Sequence, residues 1–448
     1  MLSEAVDHAV AAQDPDRAVH LVESGGPELI ENSRMATLLG LVAKLPPAET
    51  HQYPELPLLV AWGNVLLQHP AATQSSLERL YSGLDAESRS ADQHQAIRRE
   101  ADLIQAVGRV FADQVEGVQD LIDDILQHPD EVRPFVASGA SDVASFLAVH
   151  SFDFATARRW QEWAGNWTVG PFSVMYGYCM AGVAAYEILD IREAESKFRT
   201  ALELAILTGV HSHAARLAGA LLGSLLYEKG DVDAAEELLD RSNELGSEGG
   251  VVDILLATYG VGSRIKALRG DHAAAAIRLD EGMAVAARLS ISRLDKRVVN
   301  ERIRAGLPLD PGTSARLRKF SPPTEGQGGI AEECSQLDEE SSIRMLLTDR
   351  SDAAVQEALR RSRVLVARVA TQKRPRALVA AIALEVCCLA AAGREDEAKQ
   401  TFAPIVLQCV ALGLPRVLLD GGAESVGLLS TMLAEYVRAK RGYSIGLT

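Results

Sequence analysis

Apolar residues along this chain recur every three to four positions over long windows, and no window shows a convincing two-residue alternation across several segments. The pattern predicts helices and essentially no sheet. The clearest apolar stretches pair into hairpins at 173–189 with 192–208, 212–229 with 232–246, 251–269 with 272–289, and 375–392 with 395–412. A short motif punctuates them: an Asp, three residues, then a small residue opening the second helix. It occurs as Asp113 to Gly117, Asp153 to Ala157, Asp190 to Ala194, Asp231 to Ala235, Asp271 to Ala275, Asp310 to Ser314 and Asp349 to Ala353, with Arg394 replacing Asp before Ala398. Successive Asp positions lie 40, 37, 41, 40, 39 and 39 residues apart, and the step to Arg394 is 45.

Each part of the motif has a mechanical reason. Asp at a tight turn accepts the free N–H groups of the next helix, and Asp190 with Glu193 has the spacing of a capping box. Alanine four residues on lets the second helix approach the first, and a large apolar residue one turn later, Phe198, Leu239, Leu279 or Phe402, fills the groove. Small residues recur in the first helices too, at Gly182, Gly223 and Ser263, with Tyr186 and Tyr227 at the same offset from the two glycines. The fold class that follows is all-α: a tetratricopeptide-like superhelical solenoid of helix hairpins with a period of about 40 residues, in an elongated, right-handed array.

The period is weaker upstream of residue 100, where Asp14 and Ala18 repeat the motif and a helix pair is expected within 54–84. The segment 44–57 reads as a proline-rich turn. Two prolines and three glycines mark 321–332 as a flexible loop inserted in the array. The organisation expected is divergent N-terminal repeats over 1–100, regular hairpins over 101–320, the loop at 321–332, and C-terminal repeats with a capping helix over 333–448.

A length of 448 residues exceeds what one growing core supports, which suits a repeat array. With 47% hydrophobic and 24% charged residues the chain is globular in composition rather than disordered. A net charge of -16 argues against binding nucleic acid, and Arg438, Lys440 and Arg441 read as a solvated helix end. Cys179, Cys334, Cys387, Cys388 and Cys409 form no CxxC pair and suit a reducing cytoplasm. No signal sequence or membrane-length apolar run is present.

Catalytic chemistry finds no support. No GxSxG, HExxH or kinase-loop segment occurs. Gly260 and Gly262 do not extend to a dinucleotide loop, because Ile265 stands where the third glycine belongs. His211 and His213 point apart on a helix and are poor metal ligands. The acidic group Glu332, Glu333, Asp338, Glu339 and Glu340 reads as a solvated loop edge, and Ser321 and Thr324 in the adjoining loop are candidate phosphorylation sites. No metal site and no cofactor is expected. The best candidate for binding is aromatic: Trp160, Trp163 and Trp167 at helical spacing, followed by Tyr176, Tyr178 and Tyr186. Packing between hairpins would explain the same residues equally well.

The segments 'AVAAQDPDRAVHLVESGGPELIENSRMATLLGLVAKLPPAE' at 10–49 and 'GREDEAKQTFAPIVLQCVALGLPRVLLDGGAESVGLLSTML' at 393–433 resemble the two ends of the helical sensor region of MalT-type ATP-dependent regulators. The resemblance extends over nearly the full chain. It departs from the family in lacking a GxxxxGK[ST] phosphate loop and a C-terminal helix-turn-helix, and Met1 falls where the family is already inside a helix. A piece of a longer protein is therefore expected, with serine/threonine kinases of the PknK type as the parent that fits. The resemblance implies a non-catalytic sensor that takes a small effector or a protein partner, touches a switch domain of its parent, and controls an attached ATPase, kinase or transcription-regulating module. The alternative is a free-standing scaffold for protein–protein interaction.

Overall fold

The computed structural model describes residues 2–46, 53, 55–84, 90–167, 169–246, 248, 250–322 and 329–445. Among the described residues helices hold 81%, and no strand occurs. In order they are α1 (Leu2–Ala11), α2 (Pro15–Glu31), α3 (Met35–Val42), α4 (Glu55–Leu66), α5 (Pro70–Leu84), α6 (Ala91–Phe111), α7 (Val118–Gln127), α8 (Pro134–His150), α9 (Phe154–Ala164), α10 (Pro171–Glu187), α11 (Ile191–Ile206) and α12 (His213–Glu228). There follow α13 (Val232–Asn243), α14 (Val252–Leu255), α15 (Gly262–Leu268), α16 (His272–Leu289), α17 (Ser292–Arg304), α18 (Pro311–Lys319), α19 (Gly329–Asp349), α20 (Asp352–Ala370), α21 (Pro375–Ala391), α22 (Glu395–Leu412), α23 (Pro415–Leu419) and α24 (Ala423–Ile445). A π-helical turn, Leu256–Val261, joins α14 to α15. The four hairpins expected from the apolar pattern are α10 with α11, α12 with α13, α14–α15 with α16, and α21 with α22.

The motif works as its chemistry dictates. Asp153, Asp190, Asp231, Asp271 and Asp310 each accept the backbone N–H three residues on. The residue before the cap turns the chain through positive φ, as at Leu189 (63°), Gly230 (89°) and Gly270 (84°). Ala157, Ala194, Ala235, Ala275 and Ala398 are fully buried, as are Leu239, Leu279 and Phe402. At Gly182 the helices come so close that a Cβ would lie 2.4 Å from the Phe198 ring, which is why the position is glycine.

Three details depart from expectation. Asp113 caps nothing: it sits at φ 61° and sends its carboxylate across the molecule to Arg293. The cap of α20 is Ser351 rather than Asp349. Glu193 does not complete a capping box but pairs with Lys197 at 3.3 Å. Of the loop expected at 321–332, residues 323–328, including Thr324, lie outside the described residues, and α19 begins at Gly329. The side chains of Lys440 and Arg441 lie outside them as well.

The array winds back on itself. Ser33 Oγ accepts from the backbone N–H of Ala214 (3.1 Å), Gln68 Nε2 donates to the Gly250 carbonyl (2.7 Å), and Arg293 Nη2 donates to Asp113 (2.7 Å). His150 meets Glu333 (3.0 Å), Arg376 meets Glu187 (2.7 Å), and Tyr227 donates to Asp420 (2.8 Å). The separations run from 180 to 193 residues, so neighbouring superhelical turns touch after about four and a half repeats. Among the described residues no helix is long and apolar enough to cross a membrane.

Because Ala235 is sealed against the preceding helix, Ala235→Phe should overpack that contact and lower stability by about 1–3 kcal/mol. A urea unfolding midpoint equal to that of the wild type would show that the α12–α13 interface is looser than described.

Candidate binding cavity

The first helices of successive hairpins form the inner wall. Glu187 ends α10, Glu228 ends α12, Asp253 lies on α14, Arg264 on α15, Arg293, Arg297 and Arg304 on α17, Arg344 on α19 and Arg376 on α21. With the Asp420 turn they line a cavity of about 250 Å³. Charged side chains point inward here because packed turns leave them no other route, and burial then demands partners.

Most are tightly paired. Arg376 bridges Glu187 (2.7 Å) and Glu228 (3.1 Å) and lies 3.9 Å from the Tyr186 ring. Arg293, 1% exposed, donates to Asp113 (2.7 Å), Asp253 (3.2 Å) and Glu333 (2.8 Å). His150 contacts Asp253 (3.3 Å) and Glu333 (3.0 Å) from the other side. Burial and Arg293 press the His150 pKa down, but Glu333 and Asp253 outweigh them and raise it to about 9. Burial alone would raise the Glu333 carboxyl; Arg293 and His150 reverse this and hold it at about 2.

The far end of the cavity is different. Glu301 takes Arg264 as a partner, with Arg297 at 3.1 Å and Arg304 at 3.6 Å. Asp420 takes Arg416, with Arg264 at 3.1 Å and Arg304 at 3.9 Å. Burial raises the Glu301 pKa, yet the three arginines hold it down to about 2. Arg304 is pushed down to about 9 by burial and by the like charges of Arg264 and Arg344. Arg344 has no ion pair and no side-chain hydrogen bond among the described residues, and its Nε is buried. Gly260 in the π-helical turn and Gly262 at the start of α15 make room for arginines: a Cβ at Gly260 would meet Arg297 Nε at 2.8 Å, and one at Gly262 would meet Arg278 Nη1 at 2.4 Å.

The aromatic candidates fall into two groups. Trp160, Trp163 and Trp167, half-buried on α9 and the turn after it, contact one another in sequence at ring distances of 5.7 Å. Trp160 borders an outer groove of about 1230 Å³ that Asp113, His150 and Ser321 also line. The tyrosines all lie on α10. Tyr176 is buried between Phe111 and Phe172, Tyr178 is half-buried under Lys197, and Tyr186 is buried under Arg376. Of the six, Tyr186 touches a residue of the cavity wall, Arg376.

The acidic group expected at a solvated edge is instead part of the interior. Glu332 and Glu339 are 0% exposed against Arg368, and Asp338 pairs with Lys296 (2.8 Å) and Arg316 (2.7 Å). The reason is that arginines and lysine of α17, α18 and α20 neutralise them, which composition cannot reveal. The cavity arginines also escaped the sequence reading, although a signal exists. Arg264, Arg304 and Arg344 are 40 residues apart, which is the repeat period.

A partly open lumen between touching superhelical turns defines the class: an all-α helix-hairpin solenoid with an ion-paired interior. Over 424 residues, 94% of its length, the chain is 43% identical to the serine/threonine-protein kinase PknK of two strains of Mycobacterium tuberculosis and of Mycobacterium bovis, and is thus related to part of those kinases. It spans 38% of the length of these relatives. No family model matches the chain. Among solved structures, a Rap protein complexed with competence and sporulation factor aligns over 85% of this chain and 99% of that one, at 10% identity and a TM-score of 0.46.

Two outcomes follow from the Arg293 cluster. Arg293→Met would leave buried carboxylates without their cation and should cost about 3–5 kcal/mol, measured by chemical unfolding; a loss below that range would mean water reaches the cluster. The raised His150 pKa contributes stability that is complete below the ordinary value of 6.5 and lost as pH rises through about 9. The wild type should therefore lose stability between these values more steeply than His150→Gln, and parallel pH profiles would show His150 to be neutral in the fold.

Proposed function

We propose that this chain is the non-catalytic regulatory region of a PknK-type serine/threonine kinase, a sensor that takes a small effector or a protein partner and biases the attached kinase module. The observation that carries this reading is the cavity. Its wall is shared by the first helices of five hairpins and by α17, drawn from two superhelical turns, so an occupant would alter how the turns sit against one another. The similarity to PknK over nearly the whole chain supports the choice of parent. Within this reading Tyr186 backs the cavity through Arg376, and Trp160, Trp163 and Trp167 offer an outer contact beside the groove.

The scaffold alternative draws on one specific feature. Leu407 and Val410 on α22 are 72% and 69% exposed, within a turn of one another, and offer an apolar contact for a protein. Deleting this chain from the kinase that carries it separates the two readings. A regulatory region should change the autophosphorylation rate roughly fivefold or more, the size of a coupling free energy of about 1 kcal/mol. Equal rates with and without the chain would sink the regulatory reading and leave the scaffold.

A further inference from the structure

The far end of the cavity holds more positive charge than its carboxylates balance. Arg264, Arg297, Arg304, Arg344 and Arg416 surround Glu301 and Asp420, which already serve four of the five. Glu340 also lines this cavity; its carboxylate accepts from Gln336 (3.0 Å) and acts on Arg297 through its charge without a close ion pair among the described residues, so three carboxylates face five arginines. Glu424, just beyond the Asp420 turn, is exposed. The carboxylates deeper in the lumen are committed to Arg293 and Arg376. In a chain whose net charge is -16, a positive surplus inside the fold is not a by-product of composition. Guanidinium groups crowded in this way repel one another unless an anion lies among them.

The geometry points to an oxyanion site: we propose that Arg344, with Arg304 and Arg297, binds a compact dianion, a phosphate-bearing small molecule whose oxygens the guanidinium forks grasp. Three observations converge on it. Arg344 is unpaired among the described residues with its Nε buried and unbonded, Arg297 Nε is in the same condition, and both side chains line the cavity. Arg304 stands between opposed demands, too far from either carboxylate for a close ion pair but bonded to the Asp420 carbonyl at 3.0 Å. Planar forks of this kind match phosphoryl oxygens two at a time. A volume of about 250 Å³ admits phosphate, pyrophosphate or a small phosphate ester, and lies below the ~300 Å³ at which drug-sized pockets begin.

The proposal rests on the sensor reading in naming the class of effector, but it is tested separately. The chain is titrated calorimetrically with inorganic phosphate and with pyrophosphate at constant ionic strength in chloride, with malonate to represent carboxylate dianions and glucose as the neutral control. Pyrophosphate should bind saturably and glucose should not. Malonate binding as tightly would keep the oxyanion site and overturn its phosphate preference. Arg344→Gln should weaken pyrophosphate at least about tenfold, the change expected from one lost charge-assisted hydrogen bond, and Arg344→Lys should fall between. Without ligand, Arg344→Gln should melt no lower than the wild type, because it removes a repelling charge; a lower melting temperature would make Arg344 structural and overturn the site. Absence of binding to the wild type, or equal binding to Arg344→Gln, overturns it too, whatever the kinase deletion shows. Binding that depends on Arg344, with no effect of the deletion on the kinase, would keep the site and remove the regulatory reading.

Discussion

The architecture depends on one buried cation. Arg293 joins the turn after α6, the end of α8, and helices α14 and α19 through Asp113, His150, Asp253 and Glu333. These groups come from two superhelical turns, so the cluster is an interface as much as a core. Apolar contacts hold each hairpin together, but they are non-directional and would tolerate sliding of one turn over the next. A guanidinium with five donors in a fixed plane does not tolerate it. Buried ion pairs of this kind are weak sources of net stability and effective sources of register.

The same division explains what could be read from the chain alone. Caps, close alanines and the groove-filling Phe198, Leu239, Leu279 and Phe402 are local to a hairpin, so the 40-residue period exposes them directly. Asp113 carries the motif and yet does something else, because its partner lies 180 residues away. The acidic stretch around Glu332 to Glu340 looks solvated until arginines from neighbouring helices are placed beside it. Residue type sorts inside from outside well for leucine and poorly for arginine, whose burial is decided entirely by distant partners. The arginine ladder at 264, 304 and 344 was legible in principle, since it keeps the repeat spacing. Apolar periodicity alone does not reveal it, because these positions are charged.

Charge is also distributed in layers. The chain is acidic as a whole, yet Arg264, Arg297, Arg304 and Arg344 gather at one end of the lumen, close to Asp420 and the α21 helix. Gly260 belongs to this arrangement through Arg297, while Gly262 gives clearance to Arg278, which pairs with Asp240 rather than lining the lumen. Each removes a side chain where an arginine must pass close to the backbone, and a π-helical turn accompanies them. A segment that has the look of a nucleotide loop is thus a clearance for guanidinium groups.

In an open solenoid, each repeat answers only to its neighbours, and repeats can be gained or lost by recombination with modest consequences. Contact between successive turns removes that freedom. Inserting or deleting one hairpin between Asp113 and Arg293 would advance every later repeat by about a quarter of a turn and part the pairs that it falls between, Arg293 and Asp113 among them. Repeat number in this chain is therefore tied to the contact between turns, whereas loops off the line of closure can change length without disturbing it.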